Sequence, residues 1–186
     1  MGTVEIVELT ADTWSSLETL FGANKTVGGC WCVWFMRPHA EVQSGWGEGN
    51  KEFLHSQVGT PLGLLANDDD GPAGWVAVAP RSAYPRLATS AITASDAGPG
   101  TWSVTCFFVH RRARRQGLAA TLLSSAVDFA AARGATAVEG HPVDTEGVRR
   151  SSGDLFHGTL EMFLAAGFEL VDRRGTRRAL VRKEIR

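Results

Sequence analysis

Cys106-Phe107-Phe108-Val109-His110-Arg111-Arg112-Ala113-Arg114-Arg115-Gln116-Gly117-Leu118-Ala119 reads as a buried strand, a short basic loop and the opening of a helix. Residues 102–109 form one continuous β-prone run, the pattern of a strand covered on both faces. Across residues 114–133, Leu118, Leu122, Ala126, Phe129 and Ala130 return on one helical face, and Gly134 supplies the stop. The first turn of a helix exposes unpaired N–H groups and carries about half a positive charge. Gly117 lets a ligand approach the backbone closely, and the small Ala119 keeps that face open. Together these features describe a phosphate or pyrophosphate cradle. It is neither the G-x-x-x-x-G-K-[ST] loop nor the dinucleotide G-x-G-x-x-G. A solvated basic loop is the plain alternative for Arg111 to Arg115, and the glycine and helix that follow favour the phosphate reading.

Outward from this unit, residues 3–8 alternate β-branched and acidic side chains and predict a short strand. Trp14, Leu17, Leu20 and Phe21 predict a helix over 11–21, ended at Gly22. Residues 28–49 read as irregular and rich in Gly, Trp and Cys, and Asn50 is placed to cap a helix running to Val58. Strands at 62–66 and 73–79 flank Asn67-Asp68-Asp69-Asp70-Gly71-Pro72, a hairpin connection. A strand at 135–141, a helix at 155–166 ended by Gly167, and strands at 168–173 and 178–185 complete the chain. A β-meander, then β-α-β, then α-β-β predicts an α/β (α+β) sheet with helices on its faces, in one domain over 1–186.

Arg114-Arg115-Gln116-Gly117-Leu118-Ala119 resembles the [QR]-x-x-G-x-[GA] acyl-CoA loop of the GNAT superfamily of N-acetyltransferases. Glu161-Met162-Phe163-Leu164-Ala165-Ala166-Gly167-Phe168 looks like that family's later helix ending in Gly-Phe. The resemblance covers essentially the whole chain and implies a mixed, mostly antiparallel sheet splayed in the middle. It also implies acetyl transfer from acetyl-CoA to an amine by direct attack in a ternary complex. By the same resemblance, the backbone N–H groups of Arg115, Gln116, Gly117, Leu118, Ala119 and Ala120 hold the pyrophosphate, with Arg114 and its neighbours near the 3′-phosphate. Phe108 and Val109 pair with the pantetheine arm and polarise the thioester carbonyl, and Phe163 packs against that arm.

The resemblance leaves the proton path open. Ser103 and Thr105 occupy strand positions where many relatives carry Glu or His, and neither is a useful base. The next strand offers Glu139 and His141 on one face; Glu139 is the candidate base, against its alternative as a hydrogen-bonded acid that only shapes the pocket. Where relatives place a tyrosine acid, this chain has Phe163, and its one tyrosine, Tyr84, lies elsewhere. Water, Thr159 or Ser152 is left to protonate the thiolate. Trp31, Trp34 and Tyr84 are the candidate acceptor-binding residues, the tryptophans by cation–π attraction or, alternatively, as plain core. Residues 144–154, with Arg149 and Arg150, read as a loop able to close over substrate. His39, His55 and His157 read as surface or capping residues.

Composition bounds the rest. The 186 residues are 44% hydrophobic and 21% charged, which excludes bulk disorder. Residues 1–100 carry five basic and eleven acidic side chains, and residues 101–186 carry fourteen and nine. That asymmetry fits an anionic ligand held by the second half, and the near-neutral whole argues against nucleic acid or an anionic membrane as partner. Cys30, Cys32 and Cys106 are too few for a disulfide framework and lack zinc-site spacing, so no metal is expected and Cys30 and Cys32 read as buried hydrophobes. No apolar run reaches 18 residues, and a cytoplasmic location is expected. The expected acceptor is a small-molecule primary amine. A protein or peptide acceptor, a non-catalytic acyl-CoA sensor and a homodimer are left open.

Overall fold

The computed structural model describes residues 4–22, 29–148, 150–151 and 153–186; Thr3, Gly28, Arg149 and Ser152, named above, lie outside the described residues. Seven strands form one sheet: β1 (Glu5–Glu8), β2 (Gly63–Asp68), β3 (Gly71–Pro80), β4 (Thr101–Val109), β5 (Ala137–Gly140), β6 (Glu169–Arg174) and β7 (Arg178–Glu184). Their order is β1-β2-β3-β4-β5-β7-β6. Among the described strands only β4 and β5 pair in parallel, joined through the long helix α4 (Leu118–Ala131). Helices α1 (Trp14–Gly22), α2 (His39–Ser44) and α3 (Glu48–Ser56) precede β2, and α5 (Leu160–Ala165) precedes β6.

β3 and β4 are buried almost throughout because both faces are covered. On one face Val76, Val78, Trp102, Val104 and Phe107 pack against Leu118, Leu122 and Ala126 of α4. On the other, Trp75, Ala77, Cys106 and Phe108 meet Trp14, Leu17 and Phe21 of α1 and the loop carrying Trp31. Each buried aliphatic or aromatic side chain contributes about 1.5–3 kcal/mol, so these two layers fix the sheet between its helices.

The register defines an opening. β5 pairs with β4 only from Thr101↔Ala137 to Val104↔Gly140, and β4 continues to Val109 beyond that pairing. A bulge between Ala77 and Val78 leaves Thr105 as the extra residue on β4. Bulges of this kind re-aim neighbouring side chains. Gly140, where β5 ends, is tied to the same spot: a Cβ there would overlap the Phe163 ring.

Several boundaries differ from the sequence reading, each for a local reason. The helix expected from residue 114 starts at Leu118, because Arg115 (φ 63°) and Gly117 (φ 80°) are left-handed and cannot continue a right-handed helix. The helix expected from 155 starts at Leu160, where Gly158 (φ 76°) turns the chain and Thr159 Oγ1 accepts from the Met162 amide at 3.2 Å. The strand expected over 135–141 is the shorter β5. Asn50 is no cap: α3 has already begun, and its buried amide donates to Gly29 O at 2.8 Å and Val42 O at 2.9 Å. The irregular stretch contains α2, whose only buried residue is Val42. The hairpin loop is just Asp69-Asp70, with Gly71 at φ 101°.

Candidate active site

A cavity of about 660 Å³ runs along the open edge of β4. At one end lies the N-terminus of α4. Gly117 is the N-cap at φ 80°, and a Cβ placed there meets no atom within 4 Å. The amides of Leu118 and Ala119 have no intrahelical acceptor by geometry, so this end offers N–H groups facing open space. Arg114 and Arg115 line it, and Arg111 is exposed just before them. Arg112 is committed elsewhere. It is ion-paired with Asp68, whose carboxyl it holds below the usual range, and donates to Gly71 O at 3.0 Å and Pro72 O at 3.1 Å. It thereby staples the β2–β3 hairpin to the loop.

The middle of the cavity is apolar, walled by Phe107, Phe108, Val109, Leu118 and Met162. Part of the β4 edge here is engaged by the chain itself. The Phe107 amide donates to Phe156 O at 2.6 Å, His157 Nδ1 donates to Thr105 O at 2.8 Å, and Arg114 Nε donates to Val109 O at 3.0 Å. The far end is lined by Cys30, Cys32, Trp34, Phe35, Trp46, Thr105 and Cys106.

The expected residues divide accordingly. Phe108, Val109, Arg114, Arg115, Gly117, Leu118, Ala119, Ala120 and Trp34 share the cavity wall. Gln116 does not: its amide donates to Arg112 O at 3.0 Å, closing the basic loop on itself. Phe163 is fully buried between Phe107 and Phe168, at ring separations of 6.1 and 4.9 Å, so its ring belongs to the core rather than to the arm's channel. Trp31 packs between Trp14 and Phe21, in the core rather than among the residues that line the cavity. Tyr84 is likewise buried, against Ala79 and Leu87, and burial pushes its phenol up.

The two candidate bases are also withdrawn from the cavity wall. Glu139 has no exposed surface. Its Oε1 accepts from Arg182 Nε and Nη2 at 3.0 and 2.8 Å, and its Oε2 accepts from Arg81 Nη1 at 3.1 Å and Ser95 Oγ at 2.9 Å. A carboxylate with four donors and no solvent access ties β5 to β7 and to the segment after β3. His141 is buried, with Nε2 donating to Thr93 O at 3.1 Å. Burial, aided by nearby Arg81, pushes its pKa down to about 4. His157 is buried as well, against the surface reading, and burial lowers it to about 3. Both are neutral at pH 7.

Trp46, Phe35, Phe156, Thr105 and Met162 complete the wall without having been singled out as acceptor contacts. Trp46 has one sequence-level signal: its indole occupies the space that a side chain at position 29 would need, and position 29 is Gly. Among the described residues, no three His, Cys, Asp or Glu side chains group to hold a metal ion, and no helix is long and apolar enough to cross a membrane.

An α4 N-terminus opening onto a groove beside a half-paired β4 defines an acyl-CoA-using class of fold. The model for the acetyltransferase (GNAT) family matches residues 22–146, and the chain belongs to that family, an acyltransferase of the N-acetyltransferase class. Solved structures agree on the fold. A GCN5-related N-acetyltransferase from Kribbella flavida is 16% identical, with TM-score 0.59 and 98% of each chain covered. The PaiA N-acetyltransferase from Thermoplasma acidophilum, in complex with coenzyme A, is 14% identical, with TM-score 0.55, covering 98% of this chain and 99% of that one. The ribosomal-protein-S18-alanine N-acetyltransferase from Escherichia coli is 14% identical, with TM-score 0.55, covering 98% and 94%. No curated protein sequence matches the chain.

Proposed function

We propose that this protein, acting as one domain over 1–186, transfers an acetyl group from acetyl-CoA to the amine of a small molecule with an apolar body. Acetyl-CoA supplies the activated acetyl group. The observation that carries the reading is the continuity of one cavity from an anion-binding helix start to an aromatic chamber. Amides at the start of α4 and the side chains of Arg111, Arg114 and Arg115 hold phosphate oxygens there, by charge-assisted hydrogen bonds. Phe107, Phe108, Val109 and Met162 line the apolar middle and exclude water.

The chamber at the far end shapes acceptor choice. Trp34, Phe35 and Trp46 offer aromatic faces, and Arg86 already stacks on Trp34 at 4.7 Å. A guanidinium on that ring disfavours a second cation there, so the acceptor's carbon body, rather than its charge, is what these rings receive. The aromatic end is only one part of a cavity of about 660 Å³ that the donor's arm also occupies, which favours a small amine over a protein chain.

The test is acetyl-CoA-dependent thiol release across a panel of amines, paired with calorimetry for CoA. Turnover of arylalkylamines above that of polyamines and of N-terminal peptides is expected. Tight CoA binding with no turnover on any amine would replace the enzyme reading with an acyl-CoA sensor.

A further inference from the structure

All three cysteines converge on the inner end of the cavity, and acetyl transfer as described above uses none of them. Cys30 and Cys32 enter from the loop before α2 and Cys106 from β4; all three line the wall and all are free thiols. Cys32 Sγ lies 2.9 Å from Cys106 Sγ and donates to it, across 74 residues of sequence. Both residues are under one-tenth exposed.

The approach is built by the backbone. Trp31 and Cys32 have φ of 49° and 56°, a left-handed conformation that non-glycine residues seldom adopt, and two in succession make a strained kink. Packing holds the kink. Trp31 is wedged between Trp14 and Phe21 with Lys51 over its ring at 5.8 Å. Gly29 O is held by the Asn50 amide, and Val33 N donates to Cys30 O at 3.1 Å. Strain retained by such packing marks a position worth holding, and here it presents one thiol to another at the wall of a solvent-connected cavity.

We propose that Cys32 and Cys106 form a reversible disulfide when a peroxide enters the cavity, and that the oxidised protein loses amine turnover while keeping its donor site. The Cys106 sulfur attacks one peroxide oxygen: the S–O bond forms as the O–O bond breaks, and the departing hydroxide takes the thiol proton as water. The Cys32 sulfur then attacks the resulting sulfenic acid at sulfur. The S–S bond forms as the S–O bond breaks, and the hydroxide leaves with the Cys32 proton as a second water. Two thiols give up two electrons, and the peroxide is reduced to two waters. Closing the pair to a bond of about 2.05 Å needs less than an ångström of movement. Cys106 meets the peroxide first, being the slightly more exposed of the two residues, and Cys32 lies in direct contact to resolve it. Cys30 stays out of the exchange because its sulfur makes no hydrogen bond to either of the other two sulfurs, whereas Cys32 and Cys106 touch. The bridge ties the loop bearing Trp34 and Phe35 to β4, freezing the acceptor chamber, while the α4 cradle lies at the other end of the cavity.

The loss of turnover rests on the acetyl-transfer reading; the pairing does not. The test treats the full chain with hydrogen peroxide, alkylates it under denaturing conditions and maps the cysteines by peptide fragmentation. One bridge between Cys32 and Cys106, with Cys30 alkylated and all three thiols recovered after dithiothreitol, is the expected result, and C30S should form the same bridge. In C32S, dimedone should trap a sulfenic acid at Cys106. A bridge through Cys30, or no bridge, overturns the pairing. Amine-dependent thiol release should fall about tenfold or more on oxidation and return with dithiothreitol, with the CoA Kd unchanged within about twofold. Undiminished turnover of the bridged protein overturns the regulatory role. A reduced protein inactive on every amine counts against the acetyl-transfer reading instead, and the map still decides the pairing.

Discussion

The Phe107 amide of β4 donates to the Phe156 carbonyl at 2.6 Å, across the gap left where β5 ends at Gly140. With His157 on Thr105 O, this bond lays residues 156–157 along the strand edge that a pantetheine arm would need. The amides of β4 alternate between its two edges: Phe107 N–H faces this gap, and His110 N–H, with Phe108 by alternation, faces β3. An arm on the open edge therefore meets Phe107 rather than Phe108 and competes there with the segment, since a backbone N–H serves one acceptor well at a time. Gly158, at φ 76°, and Gly153 flank the segment. CoA binding is expected to speed amide hydrogen exchange across 153–158 while Phe107 stays protected. Slower or unchanged exchange in that peptide would mean that the arm takes another path.

Gly117 gives a second prediction. Its left-handed φ makes any side chain costly there, about 1 kcal/mol for alanine, while the space around a Cβ is open. Gly117→Ala and Gly117→Trp should therefore lose similar stability in thermal denaturation. They should differ in CoA affinity: calorimetry should show Gly117→Trp weakening it by about tenfold or more, roughly 1.4 kcal/mol, because the indole fills the cradle. Equal affinities in the two variants would move the pyrophosphate away from α4.

The contrast between Gly117 and Glu139 shows what a one-dimensional reading holds. Strand, basic loop, glycine and helix are adjacent in sequence, so local rules place the cradle, and the periodicities of α1, β3 and α4 place the core. Arg115 takes a left-handed φ with no glycine to announce it, so α4 starts about a turn later than its periodicity predicts. Strand alternation put Glu139 and His141 on one face, but the partners that fill Glu139 are Arg81 and Arg182, 58 and 43 residues away. Trp31 and Trp34 differ only in which side of a kinked loop they occupy, and neither helical nor strand periodicity describes such a loop. The Cys32–Cys106 approach depends on that kink and on the bulge of β4 together. Local signals therefore place the start of α4, and long-range contacts place the residues at the far end of the cavity.

Glu139 supplies a third prediction, which reverses the role first expected for it. Removing one partner of a buried ionic cluster leaves the others uncompensated, at a cost of about 3–5 kcal/mol. Glu139→Gln should lower the urea midpoint accordingly, since Arg81 and Arg182 then face each other across a neutral amide, and Arg81 already feels the charge of Arg182. The residual activity of folded protein should keep the wild-type pH–rate profile. A variant of normal stability whose acidic limb has disappeared would restore Glu139 as the base.

Buried histidines set the acid limit of the fold. His141 and His157 have pKa values of about 4 and about 3 in the folded chain, both lowered chiefly by burial, against about 6.5 unfolded. Between those values the unfolded chain binds more protons than the folded one, so stability is full above about pH 6.5 and falls as pH drops below it. The slope is about 1.4 kcal/mol per pH unit for each histidine, or roughly 2 kcal/mol each by pH 5. His110 is lowered too, by burial and then by its arginine neighbours, and adds in the same direction. Asp68 and Asp96, whose carboxyls are held low by Arg112 and Arg182, lose their pairing only at more acid pH, so the window from 6.5 to 5 belongs to the histidines. In His157→Gln the amide can still donate to Thr105 O, and that variant should lose about a third to a half of the slope in urea titrations at pH 7.5, 6 and 5. An unchanged slope would show that His157 gains its proton without unfolding the segment that packs it against β4.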